Sequence, residues 1–453
     1  MTLFHNLVIS TCLLVCVAVG LNPPEANPQP NPPSWPPSVR VFNPDDPIEQ
    51  IQSAVDAAFE INGGDGDKGQ FSTARFAFLF TPGTYPVDVP VGYYTHIMGL
   101  GLSPDDTVIS GPKGVHCEEG TKRFDVGALN TFWRAAENFR STSRFNWFGG
   151  ETGMLWAVSQ ASPLRRVNVD GDLLLFQAAE QDNEITIDNS TALVYEDENG
   201  VLVAGYSSGG FLADSAVEGR VKSGSQQQWL SRNSQIQGGW EGSNWNIVFV
   251  GTTGAPPSHC GKDGGQPYVT VDETPLIAEK PFLSVDERGQ YSLLVPPVVK
   301  GTKGVSFDLS GKGNRRKTQG KTKKEQPVQI DFSQVYVANN ATDSAESIND
   351  HLRLGFHVVI TPGVYSLEAP LTVVHENQVV LGIGLPSLIP SAGVSSVLQI
   401  SRKAEGARVA GLLVEAGRGG DREDVLVDIG VDFEGVDEGR GQLVGEFLVC
   451  STD

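Results

Sequence analysis

The sequence predicts an all-β fold, a parallel β-solenoid built as two tandem units, each opened by a capping helix. The first observation behind this is a duplicated opening. "FAFLFTPGTYPVDVPVGYYTHIMGLGL" begins at Phe76 and "FHVVITPGVYSLEAPLTVVHENQVVLGIGL" at Phe356; Thr-Pro-Gly recurs 280 residues on, and Gly-x-Gly 283. A helix, strand, corner, strand and Gly-x-Gly repeated in one order mark an internal duplication. The second observation is the run between the copies, where short apolar stretches with small or polar corners recur at a period of about 20 residues. "FLADSAV" at Phe211 and "WLSRNSQI" at Trp229 align 18 residues apart, and Trp133 and Trp156 lie 23 apart. The third is the sparseness of hairpin signals such as Asn-Gly, which an antiparallel sandwich would place about every 8 to 12 residues.

Each element follows from local chemistry. Residues 1–20 hold a mostly apolar 14-residue stretch from Leu7 and end in small residues. That is short for a membrane span and right for a secretory signal peptide. No other stretch is apolar enough to span a membrane, so a secreted protein, extracellular or in the cell wall, is expected. Residues 21–40 contain eight prolines, which predicts a semi-extended spacer and not a folded element. The first unit is expected over 41–310. In "NPDDPIEQIQSAVDAAFE", Asp45 or Asp46 can cap, Pro47 suits the first turn, and Ile48, Ile51, Val55 and Phe59 recur at helical steps. "RFAFLF" reads as a short buried strand, and Thr81-Pro82-Gly83-Thr84-Tyr85 turns the chain. "KGNRRKTQGKTKK", 312–324, packs seven basic residues into thirteen and sits in a basic linker over 311–330. The second unit, 331–453, repeats the grammar with Asp343 or Ser344 as helix cap.

The net charge of -21 argues against nucleic acid or an anionic membrane as partner. Asn189 and Asn340 head N-glycosylation triplets. Removal of the signal leaves Cys117, Cys260 and Cys450; a Cys117–Cys260 bridge suits an oxidising compartment and leaves Cys450 over. No Cys/His spacing suits zinc, "DGDKG" lacks the calcium-loop spacing of an EF-hand, and neither a metal nor a cofactor is expected.

"DDPIEQIQSAVDAAF" followed by "FAFLFTPGTY" resembles the opening of the pectate-lyase-like (pectin-lyase-like) superfamily of right-handed parallel β-helices. Two such openings in one chain resemble the secreted exo-β-1,3-glucanases made of twin β-helices. "LWAVSQASPLRRVNVDGDLLLF", "SGGFLADSAVEG" and "SGSQQQWLSRNSQI" look like a group of exported β-helix proteins of undefined activity, some labelled adenylyl cyclase. The label finds no support in the residues, since "GLGLSPDD" has neither the Lys nor the helix start of a phosphate-cradling loop. In a twin β-helix the second unit matches the first in size, so residues 331–453 are expected to form a short or incomplete second helix. The resemblance implies a polysaccharide substrate, specifically a β-glucan; a monomer is the expected state.

β-Helix enzymes that cut sugars need either two carboxylates on one face or a base beside a charge-neutralising cation. Polygalacturonase-type Asn-Thr-Asp and Gly-His-Gly signatures are absent, and His96 reads as a packed strand residue. The richest segment is 207–246. The 18-residue alignment would stack Asp214 beside Arg232 and Ser215 beside Asn233. Trp faces with amide and carboxylate neighbours suit a sugar groove. The binding candidates are therefore Gln228, Trp229, Arg232, Asn233, Trp240 and Trp245, and the catalytic candidates Asp214, Glu241, Asp170 and Asp172. The competing expectation is a non-catalytic polysaccharide-binding or structural wall protein, with Asp214 held in a structural ion pair. The two diverge on whether Asp214 and Glu241 lie about 5 to 10 Å apart in an open groove.

Overall fold

The computed structural model describes residues 28–63, 69–118, 127–148, 150–180, 194–197, 200–242, 245–262, 265–307, 326–417, 425–432, 444–445 and 448–450. The expected signal segment, Asn189 and most of the basic linker lie outside these.

The first unit is a solenoid. Its main sheet stacks Val39–Phe42, Phe76–Phe80, Thr95–Gly99, Ala135–Ser141, Pro163–Val169, Phe211–Ala213, Gln228–Arg232, Asn246–Val250 and Pro267–Val271 in that order. Each of these neighbours pairs in parallel, because each coil comes full circle before the next begins. A second face stacks Met154–Leu155, Leu173–Leu174, Val221–Lys222 and Trp240–Glu241. The core between the faces is filled by inward residues such as Phe78, Ile97, Phe139, Trp156, Leu164, Leu212, Trp229 and Phe249.

The second unit repeats the plan with three parallel faces. One runs through Val335–Ala338, His357–Ile360, Val379–Gly382 and Arg408–Ala410; another through Val364–Leu367, Ser387–Pro390 and Leu413–Glu415; the third through Leu371–Val373, Leu398–Ser401 and Val427–Val431. The parallel β-helix and its twin organisation are therefore as expected.

The repeated corner is architectural. Tyr85 donates its hydroxyl to Thr81 O at 2.8 Å and Phe42 O at 3.0 Å. Tyr365 does the same to Thr361 O at 3.0 Å and Ala338 O at 3.1 Å. In both units the tyrosine ties the corner back to the previous coil, satisfying carbonyls that the turn would otherwise strand inside. Burial pushes the Tyr85 hydroxyl up to about 12. The helices open the units as expected, with one difference at the caps. Ser344 caps Ala345–Arg353 in a capping box with Ser347. Ile48–Asn62 has Pro47 at its cap and no side-chain cap; Asp46 instead accepts from Asn43 N at 2.7 Å.

The units pack face to face across an apolar seam. Leu79, Met98 and Leu100 of the first meet Val359, Val379, Leu381 and Ile383 of the second, with Leu283, Tyr291 and Leu293 between. Gly384, the last glycine of the second Gly-x-Gly, has φ +69°, and a Cβ there would lie 2.9 Å from Phe76 O and 2.4 Å from Pro362 Cγ. The glycine is required by the close approach of the two units, not by a phosphate.

Two expectations about connecting segments are corrected. Residues 28–40 are not a free spacer: Trp35 packs edge-on against Tyr291, Asn31 bonds the Tyr291 backbone in both directions, and Val39–Phe42 forms the first coil strand. The prolines leave few backbone donors to satisfy, which suits docking along a surface without joining a ladder. Likewise the linker's end is structured, since Val328–Asp331 pairs antiparallel with Tyr291–Val295. The Cys117–Cys260 bridge is also absent. Cys117 is buried in the first core with its thiol 3.3 Å from Ala157 O, while Cys260 is exposed in the short strand His259–Cys260 at the edge of the main sheet. Inward and outward positions of a solenoid cannot bring their sulfurs together.

Candidate functional site

A cleft of about 720 Å³ opens where the second unit stops covering the main sheet of the first. Strand alternation builds its floor. Gln228, Leu230 and Arg232 point outward, whereas Trp229 and Ser231 point inward. Register stacks the outward residues in rows: His96, Ala135, Pro163, Phe211, Leu230 and Val248 form one, and Met98, Glu137, Arg165, Ala213 and Arg232 the next. Leu385, Gly411 and Leu412 of the second unit close one side. Glu279 and Lys280 come from an excursion that leaves the last coil, forms the antiparallel pair Thr274–Ala278 with Val298–Thr302, and runs back along the sheet.

The deep end of the cleft holds a buried polar chain. Gly384 N–H donates to His96 Nδ1 at 3.2 Å, which makes that nitrogen an acceptor and puts the ring proton on Nε2. Nε2 lies 3.2 Å from Glu137 Oε1, which also receives Lys280 Nζ at 2.6 Å. Burial pulls the His96 pKa down and favours the neutral ring. At Glu137 burial alone would raise the pKa, but Lys280 and then His96 outweigh it and hold the carboxylate well below its usual range. Farther out, Glu279 lies 2.8 Å from Arg232 and 3.8 Å from Arg165, and both guanidinium groups sit over the Phe211 ring at 5.2 and 4.6 Å.

The sequence-derived candidates divide. Gln228 and Arg232 line the cleft. Trp245 is 59% exposed, one residue before the lining residue Asn246. Trp229 contributes to the cleft lining but is almost wholly buried in the first core, and Trp240 turns its indole to Gly242 O at 2.8 Å and packs edge-on against Phe249. Asn233 is buried at the coil corner, bonded to Thr302 Oγ1 at 3.0 Å and Thr274 Oγ1 at 2.7 Å. The 18-residue alignment was one short. Ala213 stacks on Arg232, which sets Asp214 beside Asn233 and Ser215 beside Ser234, and a one-residue slip turns every side chain to the other face.

The four carboxylates are not a catalytic pair in this cleft. Asp214 is 1% exposed, bonded to Arg166 at 3.1 Å and to Ser306 N and Oγ at 2.5 and 2.6 Å. Asp170 grips Arg140 in a two-point pair at 2.9 and 2.7 Å. Asp172 accepts from Arg220 N at 2.8 Å, and Glu241 pairs with Arg220 at 3.2 Å on the second face, away from the main sheet. Sequence reasoning missed Glu137, Arg165, Glu279 and Lys280. The available signal was a glutamate set within the apolar strand "AAENF". Among the described residues no cluster of three His, Cys, Asp or Glu could hold a metal ion, and no helix is long and apolar enough to cross a membrane.

Residues 335–443 match the family model of the LAM55 pectate lyase-like domain. The structure is similar to that of sacteLam55A from Streptomyces sp. SirexAA-E, with a TM-score of 0.73 and 33% identity over 94% of this chain and 65% of that one. The fold is a pectate-lyase-like β-helix. Such a β-helix is also seen in a single-site variant of sacteLam55A in complex with glucose, at a TM-score of 0.71 and 33% identity over 94% of this chain and 66% of that one. In sequence, the chain is 36% identical over 397 residues to an exo-beta-1,3-glucanase of Streptomyces sp. (strain SirexAA-E / ActE), covering 87% of this chain and 55% of the relative. It thus spans less than two thirds of each of these relatives. Nothing in the comparisons supports a cyclase.

Proposed function

We propose that the protein is an exported hydrolase of β-1,3-glucan whose substrate occupies the cleft between the two units. The observation that carries this reading is the cleft itself, walled by both β-helices, in a chain whose similarity to a glucanase runs through both. Its chemistry suits a sugar polymer. The Gln160, Gln228 and Asn246 amides offer donors and acceptors to hydroxyls, and apolar Leu230 and Val248 lie between them and the charged end. Glu137, held ionised, suits a base or a stabiliser of positive charge at the reacting carbon and not a proton donor. Export rests on residues 1–20, and Asn340, exposed beside the second corner, is the described glycosylation candidate.

One observation favours a second reading, glucan binding without cleavage: each of the four carboxylates first singled out is engaged by a cation or by backbone N–H. Incubation of the purified protein with soluble β-1,3-glucan separates the two. Release of glucose or short oligosaccharides is expected. Retention on the polymer with no product would establish the binding reading, and neither retention nor product would end both.

A further inference from the structure

The proline-rich arm, residues 28–38, reaches the second unit before the chain joins the first coil. Gln29 N–H donates to Ser333 O at 2.8 Å. Asn31 donates its amide to Tyr291 O at 3.0 Å and accepts from Tyr291 N at 2.8 Å. Trp35 lies 5.7 Å from the Tyr291 ring and 6.0 Å from that of Phe332. Ser38 Oγ donates to Pro362 O at 3.2 Å, and Val39–Phe42 then pairs with Phe76–Phe80. Phe332 and Ser333 lead into the first strand of the second unit, and Pro362 belongs to its repeated corner. Tyr291 belongs to an antiparallel sheet, Phe282–Val285, Tyr291–Val295 and Val328–Asp331, that is tied to the first unit by Val285 N–H donating to Leu100 O at 2.9 Å. A spacer needs no partners 260 and 324 residues away, yet this arm has them at Tyr291 and Pro362.

We infer that residues 28–38 are a clasp that sets how the two units stand across the cleft. The chain passes between the units through the linker and makes contact a second time through the arm. One crossing leaves an axis about which two domains can turn, and a second crossing away from it removes that freedom. Proline suits the task, because a chain already held extended loses little entropy when it docks against aromatic rings. The contact nearest the cleft is Ser38. Its partner Pro362 packs on Gly384, where a Cβ would lie 2.4 Å from Pro362 Cγ. Gly384 N–H in turn donates to His96 Nδ1 at 3.2 Å, and His96 Nε2 faces Glu137. The arm therefore steadies, through one turn of the second unit, the polar chain at the deep end of the cleft. The clasp acts on the spacing of the cleft walls and is independent of what the cleft binds.

Amide hydrogen exchange tests the clasp on the full chain and its Trp35→Ala, Asn31→Ala and Ser38→Ala variants. Gly384 is the reporter, since its N–H crosses from one unit to the other. Each variant should speed exchange at Gly384 about three- to tenfold, the loss of one hydrogen bond or one aromatic contact. Exchange in Pro163–Val169 of the first unit and Leu398–Ser401 of the second should stay within about twofold, because those strands are held by their own coils. Unchanged exchange at Gly384 in all three variants would overturn the clasp. So would equal acceleration at Gly384 and in both strands, which would make the arm a part of general stability and not of the inter-unit geometry. If Trp35→Ala does not fold, Ser38→Ala, which removes a single hydrogen bond, decides by the same comparison.

Discussion

Asp214 accepts the Ser306 backbone N–H at 2.5 Å and its hydroxyl at 2.6 Å, 92 residues away in sequence. This pair pins the far end of the excursion that walls the cleft, next to Arg166, whose guanidinium also stacks on Phe282 at 4.2 Å. Asp214→Ala should cost about 3–5 kcal/mol, because it leaves Arg166 without its buried partner. Denaturant unfolding measures that cost. A variant as stable as wild type but inactive would return Asp214 to the chemistry.

The Lys280–Glu137 contact makes stability depend on pH in a defined sense. The folded-state pKa of Glu137 is lowered, so its contribution is complete above the unfolded value of about 4.3 and is lost as pH falls below it. His96, also lowered, works in the same direction: the unfolded chain takes up its proton below about 6.5 while the folded ring stays neutral. Stability should therefore fall from pH 7 toward pH 4. Lys280→Met should cost about 3–5 kcal/mol at pH 7 and clearly less at pH 4, where Glu137 can take a proton instead. Urea titrations at both pH values decide it; an equal cost at each would show that the pair is not coupled.

Gly384→Ala and Gly355→Ala both place a methyl at positive φ, +69° and +88°. Nothing lies within 4 Å of the added carbon at Gly355. That variant should lose about 1 kcal/mol from the backbone alone. At Gly384 the methyl meets Phe76 O and Pro362, so the loss should be larger and should extend to the inter-unit cleft. Paired melting curves, read with glucan affinity, test this; equal losses would mean that the seam yields easily.

Trp229 and Trp245 should part company. Trp229→Ala opens a hole in the first core and should cost about 3–5 kcal/mol. Trp245→Ala should leave stability within about 0.5 kcal/mol and reduce retention on polymeric glucan. Calorimetric melting and a glucan pull-down read the two effects.

A maleimide applied to the native protein should label Cys260 and leave Cys117 unmodified until denaturant is added, since Cys117 is buried and Cys260 exposed. A Cys117–Cys260 bridge detected by peptide mapping would refute the placement.

Much of the fold was legible in the residues because it rests on local rules. The helix that opens each unit, the buried strand after it and the Thr-Pro-Gly-x-Tyr corner all lie within about forty residues, and their apolar spacing and turn chemistry need no distant partner. That the corner was structural and not chemical was also readable. Asp214 was misplaced for an equally definite reason. Placing Asp214, and the face that Trp229 presents, required the pitch of one coil to the residue, and 19 in place of 18 reverses which side chains face out.

The sequence by itself determined two solenoid units and where each begins, because burial period and corner residues are properties of a short segment. Only the tertiary structure decided the site. The packing of Gly384 against Phe76 sets one β-helix on the other, and the excursion brings Lys280 to Glu137, 143 residues away. No pattern along the chain encodes such contacts, because they depend on how two already folded surfaces meet.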